Sequence, residues 1–270
     1  MVPVTGFIAG LAALAAVTLA AATLTIDLSR IDPVTFAVLA LGAGVAQRLP
    51  ITLFRSSAVS VAFAATIATY VLYGTGAALL VNLVSAAVNA FTPDRKPLRK
   101  IAFNSAALTV SAFFAGSTYE ILAGISGVQG SFVAIPAVVV SALVYYLLNT
   151  SLTASVIALS AGGIFLPRFA AVWRQNYAWM GLNFVATATA GGAMAIGYET
   201  LGTLGVAVFV GPVLAGWYSF RAAMANSREV RERNVELEDR IQVLNVSNQA
   251  FLAFAEAVRA AGYRPTHPRA

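Results

Sequence analysis

The chain contains no cysteine, a single histidine and few charges, and each scarcity removes a class of chemistry. Without cysteine there is no disulfide, no thiolate-ligated zinc or iron–sulfur cluster and no thiol nucleophile. The one histidine, His267, stands in a tail flanked by Pro265 and Pro268, where solvent is the expected neighbour. Asp, Glu, Lys and Arg make up only 10% of the residues, and none falls in the middle of a long apolar run. Ionisable groups inside a membrane mark proton relays, voltage sensors and charged-substrate pathways. Their absence argues against a carboxylate-based proton pump or carrier, a retinal Schiff base, histidine-ligated haem and intramembrane aspartyl or Ser–His proteolysis. The expectation is a protein with no catalytic site, no metal and no cofactor.

What the chain has in abundance is apolar surface, with 59% of its residues hydrophobic. Nearly half of its charges lie from Arg228 onward, so the preceding sequence is poorer still in charge. Apolar runs divide that part into about eight segments: Thr5 to Ile26, Pro33 to Ala46, Ala58 to Leu72, Ala77 to Phe91, Ile101 to Leu122, Phe132 to Leu159, Tyr177 to Ile196 and Leu201 to Phe220. Crossing ~30 Å of hydrocarbon takes about 20 helical residues, and lipid tolerates only spans that satisfy their own backbone. The fold class predicted is therefore all-α, a polytopic membrane bundle. The second to fourth segments are short, and a re-entrant one would leave six or seven crossings. The first run lacks a charged n-region and is too long for a signal peptide, so it reads as a span.

Charge in the connections gives a direction. Arg48 and Arg55, then Arg95, Lys96, Arg99 and Lys100, then Arg168 and Arg174 occupy the even-numbered loops. Odd-numbered loops hold Asp27, Arg30, Asp32, Glu120 and Glu199. The positive-inside rule then predicts an inner-membrane protein with both termini cytoplasmic. It also explains the net charge of +6 without nucleic acid, since the basic residues flank membrane segments.

Inside the apolar segments the polar groups are amides: Asn82, Asn89, Asn104, Asn149 and Asn183. Asn82 and Asn89 are seven residues apart and share one helical face. Such groups serve either as interhelical hydrogen-bond glue or as the lining of a pocket for a small uncharged or zwitterionic ligand.

Beyond the last apolar segment a seam of fours and threes begins. Val230, Leu237, Leu244, Phe251 and Val258 fall at d of a heptad, with Asn234, Ile241, Asn248 and Ala255 at a. Ile at a with Leu at d favours a parallel two-stranded coil, and Asn at a fixes register at some cost in stability. Arg233 at g matches in sign Glu238 at e of a parallel partner. The predicted domains are a bundle over 1–222, a cytoplasmic coiled-coil helix over 223–261 and a flexible tail over 262–270. The expected partners are the lipid bilayer, a second copy and a cytoplasmic signalling protein.

The stretch "VSVAFAATIATYVLYGTGAALLVNLVSAAVNA", the basic "DRKPLRK", "IAFNSAAL", "YYLLNTSLTASVIALS", "VWRQNYAWM" and "GPVLAGWYSFR" resemble the polytopic regions that precede bacterial HD-GYP phosphodiesterase and diguanylate cyclase domains. That resemblance covers about Leu49 to Arg228. It implies a sensor that takes up a membrane or small-ligand cue and relays it through a helix, although no output domain follows in these residues. A second resemblance, around "YGTGAALLVNLVSAA", is to the substrate-binding membrane subunits of energy-coupling-factor vitamin transporters. The long C-terminal helix and the segment count depart from that plan. A structural subunit of a larger membrane complex is the third alternative.

Overall fold

A computed structural model describes residues 2–47, 51–52, 58–59, 62–92, 95–126, 134–260 and 262. Arg48, Arg55, Asp94 and most of the expected tail lie outside the described residues. The elements are α1 (Val2–Thr23), a 3₁₀ turn (Leu28–Arg30), α2 (Pro33–Gln47), β1 (Ile51–Thr52), β2 (Ala58–Val59), α3 (Ala62–Phe91), α4 (Leu98–Ser126), α5 (Ile135–Ala161), α6 (Phe165–Asn176), α7 (Gly181–Leu201) and α8 (Thr203–Ala260). Apart from the two-residue antiparallel ladder β1–β2, the described fold is all-α. The chain divides into two units, Met1–Trp217 and Tyr218–Ala270.

The span count differs from the eight apolar runs. Among the described residues four helices are long and apolar enough to cross a membrane, and five if α6 and α7, bent by 60°, count as one span. α2 is too short at 15 residues. α3 passes on length, but its interior is broken at Gly74, where φ is 84° and ψ 170°.

That break reverses the chain. The backbone N–H of Thr75 donates to Glu120 Oε1 at 2.7 Å, and the Thr75 side chain lies against Gly116. The start of the second arm, residues 75–91, is thus fixed near the far end of α4. Only residues 92–97 join its foot to the start of α4, so this arm must run antiparallel along α4. Taking the direction of α4 as upward, the second arm descends.

The first arm, residues 62–73, climbs. Tyr70 shares a hydrogen bond of 2.5 Å with Ser141 of α5, and its ring is 5.3 Å from Tyr119 of α4. Phe63 stacks 4.2 Å from Tyr145, one turn lower on the descending α5. α5 does descend, because Leu152, Val156 and Leu159 pack with Phe103, Ala106 and Val110 near the foot of α4. The first arm therefore begins at half height, beside Tyr145, and ends at the upper turn.

Glycine makes the reversal possible. A positive φ such as that of Gly74 is strained for any residue with a Cβ, and a Cβ there would also sit 3.3 Å from Glu120 Oε1. The Glu120 carboxylate caps the first N–H of the descending arm, where the helix dipole favours negative charge. At Gly76 a Cβ would lie 2.3 Å from the Ala22 carbonyl, so α1 passes directly against the turn.

The remaining helices surround the hairpin. α1 rises beside α4, pairing Val4 and Ile8 with the Phe103 end. α2 descends along the second arm, its Gly44 against Val84 and Val88. α7 rises with the first arm, from Phe184 near Phe63 to Tyr198 near Tyr73. α6, assigned to a connecting loop by the charge pattern, is an amphipathic helix. It climbs from the foot of α5 to half height, where Trp173 Nε1 donates to Thr150 Oγ1 at 3.1 Å and Tyr146 OH donates to the Tyr177 carbonyl at 2.9 Å.

Candidate functional site: buried polar groups on α3 and α4

The register of the hairpin sets the height of each polar residue. Seven residues below Thr75 on the descending arm, about 10 Å down, is Asn82. The same distance down α4 from the Gly116–Glu120 contact reaches Ser111. On α5, eight residues below Ser141 is Asn149. Counted from the turn at Gly74, Asn82 therefore lies beside residue 66 of the ascending arm, and its neighbour Val81 packs with Ala62, Ala64, Ala65 and Ala68 of that arm.

The directions of these polar residues do not converge, because Ser111, five residues below Gly116, is turned about 140° from the α4 face that meets Thr75. On the descending arm Thr75 faces α4, Gly76 faces α1, and Val84 and Val88 face α2. At about 100° per residue, the quadrant left over is that of the ascending arm. Ser85 points into it, and Asn82 points between it and α4. Asn149 continues the i, i+4 face of Ser141 and Tyr145, the face that meets the ascending arm.

Three buried polar atoms on α3 and α4 are unmet. Asn82 and Ser85 are each 3% exposed and Ser111 is 0% exposed. Asn82 Nδ2, Ser85 Oγ and Ser111 Oγ have no hydrogen-bond partner among the described residues. At the upper turn Tyr73 OH and Thr75 Oγ1 are also unmet, whereas several helix threonines bond their own backbone. Thr69 returns its proton to the Ala65 carbonyl, Thr150 to Tyr146 and Thr153 to Asn149.

The five asparagines expected to line a pocket are not one cluster. Asn82 is buried on the descending arm, and Asn149 is half-buried on α5. Asn89 lies lower, where its side-chain carbonyl accepts from Lys96 Nζ, and burial followed by the nearby Lys100 lowers that ammonium's pKa. Asn104 is half-buried near the foot of α4, and Asn183 half-buried in the first turn of α7. Ser85 and Ser111 were not singled out by sequence. A serine in a helix ordinarily bonds its own backbone, so nothing in the sequence marks these two.

At the upper end, Asp32 caps α2. It accepts from Thr35 N at 3.1 Å and from Thr35 Oγ1 at 2.5 Å. These bonds from Thr35 hold its carboxyl below the usual range. Thr35 Oγ1 also lies 2.8 Å from Thr203 Oγ1, which ties the first residue of α8 to the start of α2.

Along the second unit the heptad positions are open to solvent. Leu237 is 55% exposed, Ile241 56%, Leu244 68% and Phe251 67%. Asn234 and Asn248 are exposed with them.

These features describe a helical bundle in which four or five described helices are long and apolar enough to cross a membrane, followed by a long C-terminal helix. No family model matches the chain, and neither a curated protein nor a solved structure does.

Proposed function

We propose that this protein is a membrane-embedded input module, one that passes the state of its bundle along α8 to a C-terminal helix paired with a second copy. The observation that carries this reading is the apolar heptad line on α8. In water, uncovering side chains such as Leu237, Ile241, Leu244 and Phe251 costs about 1.5–3 kcal/mol each relative to burial. A parallel partner in register covers all four and lets Asn234 and Asn248 meet their symmetry mates. The other end of the same helix is well placed to receive a signal, because Thr203 is bonded to Thr35 and Val206 is fully buried among α2, α3 and α7 residues.

The reading places both termini in the cytoplasm. Successive segments α1, α2, the two arms of α3, α4, α5 and α6–α7 alternate in direction. This supports a topology in which the lower end, with Arg95, Lys96, Arg99, Lys100 and Arg168, faces the cytoplasm. It also supports eight crossings, with α2, the arms of α3 and the start of α8 as short ones. The resemblance to regions ahead of HD-GYP and diguanylate cyclase domains points to a cytoplasmic signalling partner.

Single cysteines test the pairing in native membranes. Leu237→Cys and Leu244→Cys are expected to crosslink to their own copies, and Glu236→Cys, off the seam, is not. Equal yields at all three sites, or none at any, would overturn the paired helix.

A further inference from the structure

We infer that α6 holds the phosphate of an anionic phospholipid on Arg174, in the leaflet at the lower end of the bundle. The inference stands whether or not α8 pairs with a second copy.

The depth of Arg174 carries it. The preceding residue, Trp173, donates its indole N–H to Thr150 Oγ1 of α5 at 3.1 Å. Thr150 stands eleven residues above Ala161, where α5 ends, so this contact lies about 16 Å above the foot of that helix. Helix α5 is long and apolar enough to cross a membrane, and the hydrocarbon is only ~30 Å thick. Arg174 therefore stands near mid-span, and it is exposed, as is Gln175 beside it. A guanidinium facing acyl chains at that depth is unfavourable, and such a group ordinarily meets an anion or water.

No protein group supplies that anion. No hydrogen bond or ion pair joins Arg174 to another described residue. In the first unit every described carboxylate, on Asp27, Asp32, Glu120 and Glu199, belongs to the upper end. The other arginine of α6 is already engaged. Arg168 donates to the carbonyls of Ala161 and Gly162 and so closes the end of α5.

Geometry and chemistry select a lipid. Helical side chains lean toward the N-terminus of their helix, and α6 starts at the foot. Arg174 thus leans toward the lower headgroups, and its long stem lets the charge snorkel further. A guanidinium meets phosphate through two parallel N–H bonds, and the Gln175 amide adds a donor. A bound lipid also brings acyl chains. Leu143 and Leu147 of α5 and Leu182 of α7 are exposed above the level of Arg174, and such chains would cover them. The contact of Gly181 with the Tyr146 ring fixes the start of α7 at that height. On the opposite side the bundle stays apolar down to Val4 and Phe103, so the bilayer would be thinned on the α6 side alone. The lipid would then sit at the 60° bend between α6 and α7, where the composition of the leaflet could act on the bundle.

The test uses the full-length protein in nanodiscs of mixed phosphatidylglycerol and phosphatidylcholine. Native mass spectrometry should show phosphatidylglycerol retained on the wild type in several-fold excess, and Arg174→Gln should lose that excess. Arg99→Gln, at the foot of α4, should keep it. Equal retention of the two lipids by the wild type overturns the site. So does a loss in Arg99→Gln as large as that in Arg174→Gln, which would assign the preference to the general positive charge of the lower end. A second membrane protein that leaves with Arg174→Gln while the bound lipid stays the same would assign α6 to a carboxylate-bearing helix, and overturns it as well. Fluorescence gives a reading that needs no change at Arg174. In Trp217→Phe the remaining tryptophans are Trp173 and Trp179. Phosphatidylglycerol with brominated chains should quench them more strongly than brominated phosphatidylcholine at the same content. Equal quenching by the two would remove the lipid from α6.

Discussion

Exposed apolar side chains occur in both units of this protein, and they mean different things. In the first unit Val17, Leu41, Ile121 and Leu182 are exposed. Val17 and Ile121 sit on helices apolar enough to cross a membrane, Leu182 on the bent α6–α7 pair and Leu41 on the shorter apolar α2. Lipid covers such residues, and their exposure calls for no partner. In the second unit Leu237, Ile241, Leu244 and Phe251 are equally exposed, but Arg233, Glu236, Glu238 and Arg240 are interleaved with them. A helix carrying that many charges does not enter hydrocarbon. Exposure alone therefore does not identify an interface; exposure on a charged helix at heptad spacing is what supports the proposed pairing.

The largest effect expected belongs to the first unit alone. A Cβ at Gly76 would lie 2.3 Å from the Ala22 carbonyl, and one at Gly191 would lie 2.4 Å from the Ala64 carbonyl. Backbone cannot swing aside as a side chain can. Gly76→Val and Gly191→Val should each destabilise the bundle by about 3 kcal/mol or more, read as a fall in melting temperature in nanodiscs. A stable Gly76→Val protein would show that α1 does not pass against the hairpin turn.

The counterpart in the second unit is Leu244→Asp. A charge at d removes an apolar contact from each chain and places two carboxylates opposite each other, so dimer affinity should fall at least about tenfold, on the order of 1.4 kcal/mol or more. Crosslinking at position 237 should fall with it. The melting of the bundle should be unchanged. If Leu244→Asp instead lowers the melting temperature as much as Gly76→Val, the two units do not separate as described.

Within the bundle a subtler contrast is available. Ser141 Oγ accepts from Tyr70 OH and donates to the Val138 carbonyl. Ser141→Ala leaves the Tyr70 hydroxyl, on a residue 1% exposed, without its acceptor. Tyr70→Phe removes the hydroxyl itself. An unmet buried group costs more than an absent one, so Ser141→Ala should destabilise by roughly 1–2 kcal/mol and Tyr70→Phe by less. The reverse order would mean that Tyr70 finds another acceptor.

How much of this was legible in the sequence depended on whether a residue's role is local. The helical class, the break at "YGTG" and the amide content follow from periodicity, glycine and residue type. The burial of Asn82, Ser85 and Ser111 without partners does not, because it depends on the register in which the α3 hairpin lies against α4. That register is set by Glu120 on Thr75 and by Ala22 on Gly76, contacts between residues 45 and 54 positions apart. The apolar runs on either side of "YGTG" are separable in the sequence, as α3 is broken at Gly74, but the charges in "FLPRFAAVWRQN" read as a loop and hide that it forms a helix of its own.

A smaller effect should come from acid. The Asp32 carboxyl is held below its ordinary range by bonds from Thr35. A group whose folded pKa is depressed contributes stability above its unfolded value, about 3.9, and loses it as pH falls through the folded value. Melting temperature should therefore be insensitive to Asp32 near neutrality and drop on acidification below about pH 4. Asp32→Asn should flatten that acid limb. An unchanged limb would assign the acid sensitivity to other carboxylates.

The smallest effect expected involves Glu236, at c of the heptad, and Arg240, at g beside the seam. Arg240 donates to Glu236 at 2.6 Å, one turn away, with side chains 72% and 62% exposed. The short distance suggests a strong interaction, yet the setting predicts a weak one. Both groups are well hydrated, salt screens them, and holding two long side chains in one geometry costs entropy. An i, i+4 pair of this kind contributes about 0.3–0.5 kcal/mol. The Glu-before-Arg order is the better orientation for the helix dipole, which keeps the sign favourable. Glu236→Gln should therefore change helix content and dimer affinity by less than about threefold, and raising the salt concentration should erase even that. A tenfold loss of dimer would place Glu236 on the partner-facing side, which would move the seam away from Leu237 and Leu244.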